Sequence, residues 1–370
     1  MGKIEVCHSA LRRAKKVPGP GNFLVLHCLR PIMHVTLLVP DLFWPRDDGG
    51  GAYRELELPV IERFLSRARR EPFPPLSVEA WLCQAFEVER QQDWPVAPIT
   101  LAYDGGDAGD HYWLRADPVH LTPQRDRLTL LDTSVLNPGA EDAAELIAVL
   151  NRHFAGEGLV FQAPHPARWY LLVPGTPRLA TRELTLAAGR DIAGALPAGE
   201  DGLRWRRILN EIQMLLHEHP VNQRRESRGA LPINSVWPWG GGRRAPVFGQ
   251  HFSHVAGENT LASALAARAG AEKLTGTALP AASRGTRILV VMETSSARHG
   301  DDRAWRQELA DMEHAWFTPL LTALRRRELD GLTVVALHPR ACVRFDATPM
   351  DLLKFWRPRR PLPDYAPGVG

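Results

Sequence analysis

Three short runs of apolar residues are the strongest constraint on the fold of this chain. They are Val35–Val39, Arg287–Met292 and Leu332–Leu337, which are rich in Val, Ile and Leu and flanked by turn residues or charges. Runs of this length and composition are typical of strands buried on both faces of a parallel sheet. Because parallel strands need crossover connections, usually helices, these runs predict an α/β domain. In open α/β sheets, ligands bind at the carboxyl ends of the strands.

Amphipathic segments beside these runs supply candidate crossover helices. One helix is predicted to place Val60, Ile61, Phe64, Leu65 and Ala68 on a single apolar face. A second is predicted near the carboxyl terminus, where Pro319 should bend or end it because proline lacks the amide donor that a helix interior requires. Its apolar face comprises Trp305, Leu309, Met312, Trp316 and Leu320.

The middle of the chain has a different pattern. Four short segments punctuated by Pro or Gly are predicted to be strands, and a helix is predicted over Asp142–Phe154. The strand segments are Trp113–Ala116, Leu128–Asp132, Leu159–Gln162 and Trp169–Val173. We therefore expect residues 106–216 to form an inserted α+β cap domain, with the α/β core divided between residues 33–105 and 217–357. Residues 358–370 are expected to be an extended tail.

The amino-terminal region and the composition exclude several classes of protein. Residues 1–32 are expected to be a disordered extension or a misassigned start, with Met33 as the native first residue. Four cysteines without paired spacing argue against a disulfide framework or a zinc cluster and favour a reducing, cytoplasmic location. No apolar run approaches the ~20 residues of a membrane span. A net charge of +3 does not support nucleic-acid binding.

The segment 217–242, HEHPVNQRRESRGALPINSVWPWGGG, combines Asn, Trp, Arg and Gly without helical or strand periodicity. We predict that it is an ordered loop that forms the binding site. Guanidinium groups match phosphate and carboxylate oxygens bidentately, and a glycine run exposes amides that can join an anion cradle. Alternatively, the arginines are simply solvated and the asparagines only stabilise tight turns. The predicted ligand-binding residues are Asn222, Arg224, Arg225, Asn234, Trp237, Trp239, Gly240 and Arg243.

The same segment carries a resemblance to a known family. The order His219-Pro-Val-Asn222, Arg225, Pro232-Ile-Asn234 and Trp237-Pro-Trp-Gly-Gly-Gly242 resembles the return from the inserted domain in archaeal-type cofactor-independent phosphoglycerate mutases, within the alkaline-phosphatase superfamily. The chain is more similar still to a bacterial offshoot, the RpfE-type regulatory proteins. The resemblance spans roughly residues 33–361. It implies an α/β fold with an alkaline-phosphatase-like core and an inserted α+β cap domain.

The resemblance also implies two divalent metal ions, six Asp or His ligands and a Ser or Thr nucleophile. Asp41 follows the first strand as one ligand would, and His299 and His338 match two histidine positions. Ser295 and Leu337 stand where the family has ligand aspartates, and we identify no nucleophile. Losing two carboxylates removes about two negative charges from the metal shell. The predicted metal set of Asp41, His299 and His338 is therefore degenerate.

Several of these residues also have a structural interpretation. His299 and His338 can be hydrogen-bonded histidines at strand ends, which we favour over metal binding. Asp301 and Asp302 can cap the helix that follows them, which we favour over a use as substitute ligands. Glu293, directly after a core strand, is equally compatible with a general base, a metal ligand or a surface charge.

We therefore expect a metal-site-degenerate, phosphoglycerate-mutase-like protein that binds a small anionic or phosphorylated metabolite between core and cap and acts in regulation. The alternative is an active phosphotransferase or phosphoesterase with rearranged ligands, and only this alternative implies a cofactor, a divalent Mn, Zn or Mg ion. A third hypothesis is a protein-interaction module whose Trp-rich loop contacts a partner. No nucleic-acid or membrane partner is expected. We expect Phe355 and Trp356, in the basic segment Lys354–Arg360, to strap the tail onto the core.

Overall fold

The computed structural model describes residues 33–46, 50–124, 127–246, 249–280 and 285–367, so the expectations for residues 1–32 lie outside it. Within these ranges the strands are β1 (Met33–Pro40), β2 (Arg69–Phe73), β3 (Tyr112–Gln124), β4 (Arg127–Leu131), β5 (Val160–His165), β6 (Arg168–Val173), β7 (Ser235–Gly242), β8 (His254–Ala256), β9 (Glu272–Leu274), β10 (Thr286–Val291), β11 (Gly331–Leu337) and β12 (Cys342–Ala347). The helices are α1 (Pro59–Arg67), α2 (Val78–Ala85), α3 (Val96–Tyr103), α4 (Thr133–Leu136), α5 (Ala140–Phe154), α6 (Leu184–Ala187), α7 (Gly202–His217), α8 (Pro220–Ser227), α9 (Thr260–Ala269), α10 (Ser296–His299), α11 (Asp302–Met312) and α12 (Thr318–Arg325).

A sheet that has seven strands in the described part of the chain forms the α/β core, in the order β2-β12-β11-β1-β10-β8-β9. β1 pairs in parallel with both β10 and β11, so the three predicted apolar runs are neighbours. β8 and β9 extend the parallel part, and β12 and β2 pair antiparallel at the other edge. The carboxyl ends of the parallel strands therefore meet at one edge of the sheet.

Both faces of this sheet are covered by helices, which explains why its central strands β1, β10 and β11 are largely apolar, whereas the edge strands β2 and β9 are exposed and charged. Val35, Leu37 and Val39 of β1 pack in one cluster with residues of α1, α11 and α12. Leu38 packs in another cluster with residues of α2, α3 and α9. Successive residues of a strand point to opposite faces, so a strand covered on both sides buries every position.

The helix predicted around Pro319 is divided in two. α11 leads into a π-helical turn over Glu313–Phe317, and α12 then begins with Pro319 in its first turn, where proline is tolerated. The carboxylate of Glu313 in the π-helical turn accepts hydrogen bonds from the amides of Val60 and Ile61 at 2.9 and 2.8 Å. It thereby satisfies two of the unpaired donors at the start of α1.

A second sheet, built from the middle of the chain, is antiparallel. Its order is β4-β3-β6-β5, and β7 also pairs with β3. α5 and α7 cover one face and bury Phe154, Trp169 and Trp205. The four predicted strands and the predicted helix are all present in this α+β cap. The predicted division had assigned residues of β7 to the core, and the boundaries of the two domains stay a prediction.

The prediction of a loop over residues 217–242 is wrong, because this segment contains α8 and β7. Every residue of β7 is buried, so the strand shows no alternation of polar and apolar residues. α8 is a short polar helix that starts with Pro220 at its first position. The imidazole of His219 caps it by accepting a hydrogen bond from the amide of Val221 at 3.3 Å.

The carboxyl-terminal tail is attached to the core by other residues than expected. Phe355 and Trp356 are exposed, so the prediction that they strap the tail down is wrong. Leu362 and Tyr365 are buried instead, in a short 3-10 turn. The amide of Leu362 also donates to the carboxylate of Glu62 at 3.1 Å.

Arg225 is a buried structural residue that joins α8 to the start of α5. Its guanidinium donates to the carbonyl oxygens of Leu231 and Leu136 at 2.9 and 2.5 Å and to the carboxylate of Asp142 at 3.1 Å. Neighbouring Arg224 is exposed and pairs with Glu145 at 2.6 Å. Buried and exposed ion pairs differ strongly in what their loss costs, so these two arginines form a natural comparison.

We predict that Arg225→Met lowers the free energy of unfolding by about 3 kcal/mol, because it leaves two carbonyl groups without their donor and the buried carboxylate of Asp142 with only Arg228, at 3.4 Å. Arg224→Met, the matched control, should cost no more than about 1 kcal/mol. Urea-induced unfolding followed by circular dichroism measures both. Equal losses in the two variants would contradict a structural role specific to Arg225.

Candidate functional site

A cavity of about 310 Å³ lies at the carboxyl ends of the parallel core strands. Asp41 follows β1, Glu293 follows β10 and His338 follows β11, and all three line this strand-end cavity. The strand ends are joined directly, since the amide of Asp41 donates to the carbonyl oxygen of Leu337 at 3.2 Å. Parallel pairing thus places three ionisable side chains that are far apart in sequence around one space.

Three arginines also line the strand-end cavity. Arg298 belongs to α10, and Arg182 and Arg190 lie in the cap on either side of α6. Arg298 is anchored because its Nε donates to the carbonyl oxygen of Thr294 at 3.1 Å. No hydrogen bond within the described ranges occupies the guanidinium group of Arg182 or Arg190. Burial lowers the pKa of Arg190, and the nearby Asp41 opposes this change.

Asp41 is the most strongly perturbed acid in the strand-end cavity. Burial raises the pKa of its carboxyl group to about 6, although the charges of Arg298 and Arg190 act in the opposite direction. Its backbone has a φ of 52°, in the left-handed region that Asp adopts more readily than most residues. The residue therefore turns the chain sharply as β1 ends and changes charge near neutral pH.

His338 is held in its neutral form by the backbone around it. Its Nδ1 accepts a hydrogen bond from the amide of Arg340 at 3.2 Å, so Nε2 carries the proton and faces the carbonyl oxygen of Trp44 at 3.4 Å. Burial lowers the pKa of this imidazole. Both ring nitrogens are therefore used at the strand end, and neither offers a free lone pair to a metal ion.

His299 faces the cap rather than the strand-end cavity. Its Nε2 lies 3.2 Å from the Oγ of Ser134 and 3.6 Å from the carboxylate of Asp132. Burial acts to raise the pKa of Asp132, but His299, Ser134 and Arg298 outweigh it and hold the pKa at about 2. The Nδ1 of His299 is buried and has no hydrogen-bond partner among the residues described.

A second cavity, of about 340 Å³, adjoins the strand-end cavity. Asp132, Ser134 and Trp239 line it from the cap. The residues that line both cavities are Thr185, Asn259, Glu293 and Arg298. Arg298 therefore forms part of the wall between the two cavities, and its guanidinium lies 3.8 Å from the carboxylate of Asp132.

The predicted metal ligands do not assemble around one cavity. Asp41 and His338 line the strand-end cavity and His299 does not. Within the described residues, no group of three or more His, Cys, Asp or Glu side chains is placed to hold a metal ion. Two divalent ions need several anionic oxygen ligands, whereas this cavity combines two carboxylates with three guanidinium groups. The side chains present do not fit a two-metal centre.

The carboxylates considered as substitute ligands have structural partners. Asp301 is the N-cap of α11, where its Oδ1 accepts from the amide of Ala304 at 2.9 Å, as favoured from the sequence. Asp302 pairs with Arg306, one turn further along the same helix, at 2.8 Å. Neither aspartate lines the strand-end cavity or the adjoining one. Of the three candidates, only Glu293 lines these cavities.

Most of the predicted ligand-binding residues bind backbone groups instead. The carboxamide of Asn222 donates to the carbonyl oxygens of Leu216 and Ile233 at 2.7 and 2.8 Å and accepts from the Ile233 amide at 2.8 Å. Asn234 accepts from the amide of Leu121 at 2.7 Å and donates to its carbonyl oxygen at 2.9 Å. Both asparagines therefore replace backbone pairing partners where the chain leaves regular structure.

The arginines and glycines of this segment are likewise distributed away from both cavities. Arg243 donates to the carbonyl oxygens of Asp110 and Gly175, and Arg224 and Arg225 have the partners given above. A Cβ on Gly240 would lie 3.0 Å from the Cβ of Val96, and the φ of Gly240 is 62°. The glycine run lets β7 pack closely against α3, and the predicted amide cradle for an anion does not form there.

The two tryptophans come closest to the cavities. Trp239 lines the adjoining cavity, and its indole donates to the carboxylate of Asp117 at 2.7 Å. The indole of Trp237 donates to the carbonyl oxygen of Arg182 at 2.8 Å, so it fixes the backbone of a residue that lines the strand-end cavity. Both side chains are buried, so the expected partner-binding surface of exposed tryptophans is not available.

The cap segment 182–190 packs directly against the backbone of α10. A Cβ on Gly189 would lie 2.0 Å from the carbonyl oxygen of Arg298, and the φ of this glycine is 69°. Arg46 joins the two sides, donating to the carbonyl oxygens of Gly189, at 3.0 Å, and Arg298, at 2.5 Å. Only glycine allows this close approach, which brings Arg190 to the strand-end cavity.

Sequence reasoning missed the three arginines of the cavity. Arg298 directly precedes His299 in a segment already singled out, so its position was a usable signal. Arg182 and Arg190 flank α6, a four-residue helix in a stretch with little other regular structure. Such a stretch has no periodicity that could have placed them.

Comparisons with known proteins show which proteins this chain is similar to. No family model matches it. It is 27% identical over 190 residues to a probable 2,3-bisphosphoglycerate-independent phosphoglycerate mutase of Geobacter sulfurreducens, a match that covers 48% of this chain and 45% of that protein. It is 33% identical over 120 residues to the 2,3-bisphosphoglycerate-independent phosphoglycerate mutase of Methanosarcina barkeri, covering 32% and 30% of the two chains. The chain is related to phosphoglycerate mutases. It spans less than half the length of either relative.

A solved structure has the same fold. The PH0037 protein from Pyrococcus horikoshii superposes with a TM-score of 0.51 at 11% sequence identity, over 86% of this chain and 88% of that one. At this level of identity the match concerns the fold alone. Together with the parallel core sheet and the antiparallel cap sheet, it confirms the predicted α/β class with an alkaline-phosphatase-like core and an inserted α+β cap.

We predict that Asp41→Asn stabilises the protein above pH 6 and has little effect below pH 4. Because the folded-state pKa is raised to about 6, the unfolded chain ionises first, and stability falls as the pH rises from about 4 to 6. Asparagine removes this loss, so the variant should gain on the order of 2 kcal/mol at pH 8. Thermal unfolding at pH 8 and pH 4 measures the difference. A gain that is the same at both pH values, or that matches the exposed control Asp110→Asn, would contradict the assignment.

Proposed function

We propose that this protein is a metal-site-degenerate, phosphoglycerate-mutase-like protein of the RpfE type, which binds a small anionic or phosphorylated metabolite in the strand-end cavity and acts in regulation rather than turnover. The observation that carries the proposal is the convergence of Arg182, Arg190 and Arg298 on one cavity at the carboxyl ends of the core strands.

The donors of two of these arginines support anion binding. The guanidinium groups of Arg182 and Arg190 make no hydrogen bond within the described ranges, so their donors are available to oxygens of a ligand. A guanidinium fork matches a carboxylate or phosphate with two parallel hydrogen bonds. Arg190 is also partly desolvated, and charge-assisted hydrogen bonds are stronger where water is excluded.

The acids of the cavity set the selectivity for the charge of the ligand. Three arginines face Asp41 and Glu293, so the cavity has an excess of one positive charge when both acids are ionised. Burial raises the pKa of Asp41 to about 6, so it accepts a proton more readily than an ordinary aspartate. A bound anion that approaches Asp41 would raise this pKa further. Protonation of Asp41 would then increase the excess positive charge of the cavity from one to two.

The position of the cavity supports a ligand held between core and cap. Arg298 comes from the core, and Arg182 and Arg190 come from the cap segment. Leu76, Val78 and Met292 supply apolar wall on the core side. A ligand that binds groups on both sides favours the arrangement in which they are close, and this is the physical basis for regulation by population shift.

The arrangement of carboxylates favours regulation over phosphoryl transfer. Transfer by two metal ions requires ligands that neutralise the ions and orient the attacking and leaving oxygens. Here Asp301 and Asp302 serve α11, and both ring nitrogens of His338 face backbone groups. The rival hypothesis of rearranged ligands needs these groups beside Asp41, and they have other partners.

We predict that Arg190→Gln weakens binding of inorganic phosphate and of 3-phosphoglycerate by about 10- to 100-fold, since it removes one charge-assisted bidentate contact. The control is Arg178→Gln, an exposed cap arginine paired with Glu200 outside both cavities. Isothermal titration calorimetry measures the affinities. Absence of binding to either probe, or equal affinities in the two variants, would overturn the proposed site.

We also predict less than stoichiometric Mn, Zn and Mg in the purified protein and no interconversion of 2- and 3-phosphoglycerate. The reason is that the cavity offers too few anionic ligands for two dications. Elemental analysis and an enolase-coupled assay test the two statements. Stoichiometric metal together with turnover that a chelator abolishes would replace the regulatory proposal by the enzymatic one.

A further inference from the structure

Four large apolar side chains are exposed within a short segment just before the carboxyl-terminal tail. Met350, Leu353, Phe355 and Trp356 are 63%, 57%, 83% and 66% exposed, and we call these four residues the tail patch. The rings of Phe355 and Trp356 lie 5.3 Å apart at an interplanar angle of 82°. Isolated exposed apolar residues are normal in proteins, but four within seven residues, two of them in ring contact, point to a contact site.

The tail patch lies on a turn that is fixed to the core on both sides. Leu352, between two members of the patch, is buried, and its carbonyl oxygen accepts from Arg67 at 2.6 Å. Asp351 accepts from the amide of Thr348 at 2.8 Å. The chain then returns to the core at Leu362. The aromatic pair is therefore presented by an ordered segment.

Basic residues are interspersed with the tail patch along the sequence. The segment 350–360 has four basic residues against one acid, Asp351. Lys354 pairs with Asp351 at 2.5 Å, and Arg359 lies 3.5 Å from a carboxylate oxygen of Glu62. Arg357 and Arg360 are exposed and form no ion pair among the described residues. The patch therefore joins apolar contact area to net positive charge.

We propose that the tail patch docks the protein onto an anionic lipid bilayer surface. Aromatic side chains partition to the headgroup level of a bilayer, and arginines beside them are attracted to anionic lipids. Methionine and leucine add apolar area that enters the acyl boundary. The proposal is independent of what binds in the strand-end cavity.

The composition of the patch favours lipid over single-stranded nucleic acid. Nucleic acid would stack its bases on open aromatic faces, and aliphatic Met350 and Leu353 add nothing to such stacking. The two rings also pack edge to face against each other rather than standing apart as successive platforms. In contrast, all four side chains contribute to burial in a bilayer interface.

The expectation from sequence that no membrane partner exists rested on the absence of a spanning segment. No helix of the described chain is long and apolar enough to cross a bilayer. A peripheral contact needs no such helix, because a few interfacial side chains and neighbouring basic residues supply its affinity. A surface contact is therefore compatible with that finding.

Cosedimentation of the full chain with vesicles tests the proposal. We expect binding to vesicles of phosphatidylglycerol and phosphatidylethanolamine, weakening with added salt, and at least about tenfold weaker binding to vesicles of phosphatidylcholine alone. The double variant Phe355→Ser with Trp356→Ser should lower the affinity for anionic vesicles about tenfold or more. The control is Leu203→Ser with Met214→Ser, which removes two residues of α7 that are 79% and 78% exposed.

Several results would overturn the proposal. They are equal binding to anionic and neutral vesicles, no binding to either, and an equal loss in the control variant. Binding of single-stranded oligouridine that depends on Phe355 and Trp356, without vesicle binding, would assign the patch to nucleic acid. Sedimentation velocity without lipid measures the oligomeric state. A change of that state in the tail variant, but not in the control, would assign the patch to contact with a second copy of the chain. Should the tail variant fold poorly by circular dichroism, Arg357→Glu with Arg360→Glu provides the same comparison through charge alone.

Discussion

The parallel pairing of β1 with β10 and β11 is the constraint on which the rest of the molecule depends. Leu38 is opposite Val291 on one side and Val335 on the other, so the three strands end at nearly the same height. Asp41, Glu293 and His338 meet at this edge because each follows the end of its strand, and the pairing register places these strand ends side by side. The helices on both faces are needed to bury these strands, and the cap closes over their carboxyl ends.

Sequence periodicity predicted the parts of the fold in which one pattern dominates. The three core strands, α1, the divided helix around Pro319 and the first four strands of the cap all follow from it. β7 could not be identified because it is buried at every position and contains Pro and three Gly, which usually mark turns. α9 lacked a signal because much of its buried surface is alanine, which resembles neither a polar nor a strongly apolar face.

The candidate site was predicted less well than the fold, and the reason is chemical. Asn222, Asn234 and Arg225 were selected because such residues bind ligands, yet the same donors and acceptors satisfy buried backbone groups, which must be paired wherever water is excluded. A sequence lists the donors of a side chain but not the groups that face them. Asp41 was placed correctly at a strand end, whereas Arg182 and Arg190 depend on a cap segment whose path only tertiary contacts determine.

The close contact between Gly189 and the carbonyl oxygen of Arg298 affects how the cap packs on the core. Because main chain contacts main chain there, this contact sets the closest distance at which positions 190 and 298 can approach each other. Substitutions elsewhere in the cap can change the residues that line the cavity without changing the distance between positions 190 and 298. A methyl group at position 189 would clash with the carbonyl oxygen of Arg298 and move the positive charges of Arg190 and Arg298 apart. The electrostatic character of the cavity therefore depends on the absence of a side chain at this one position.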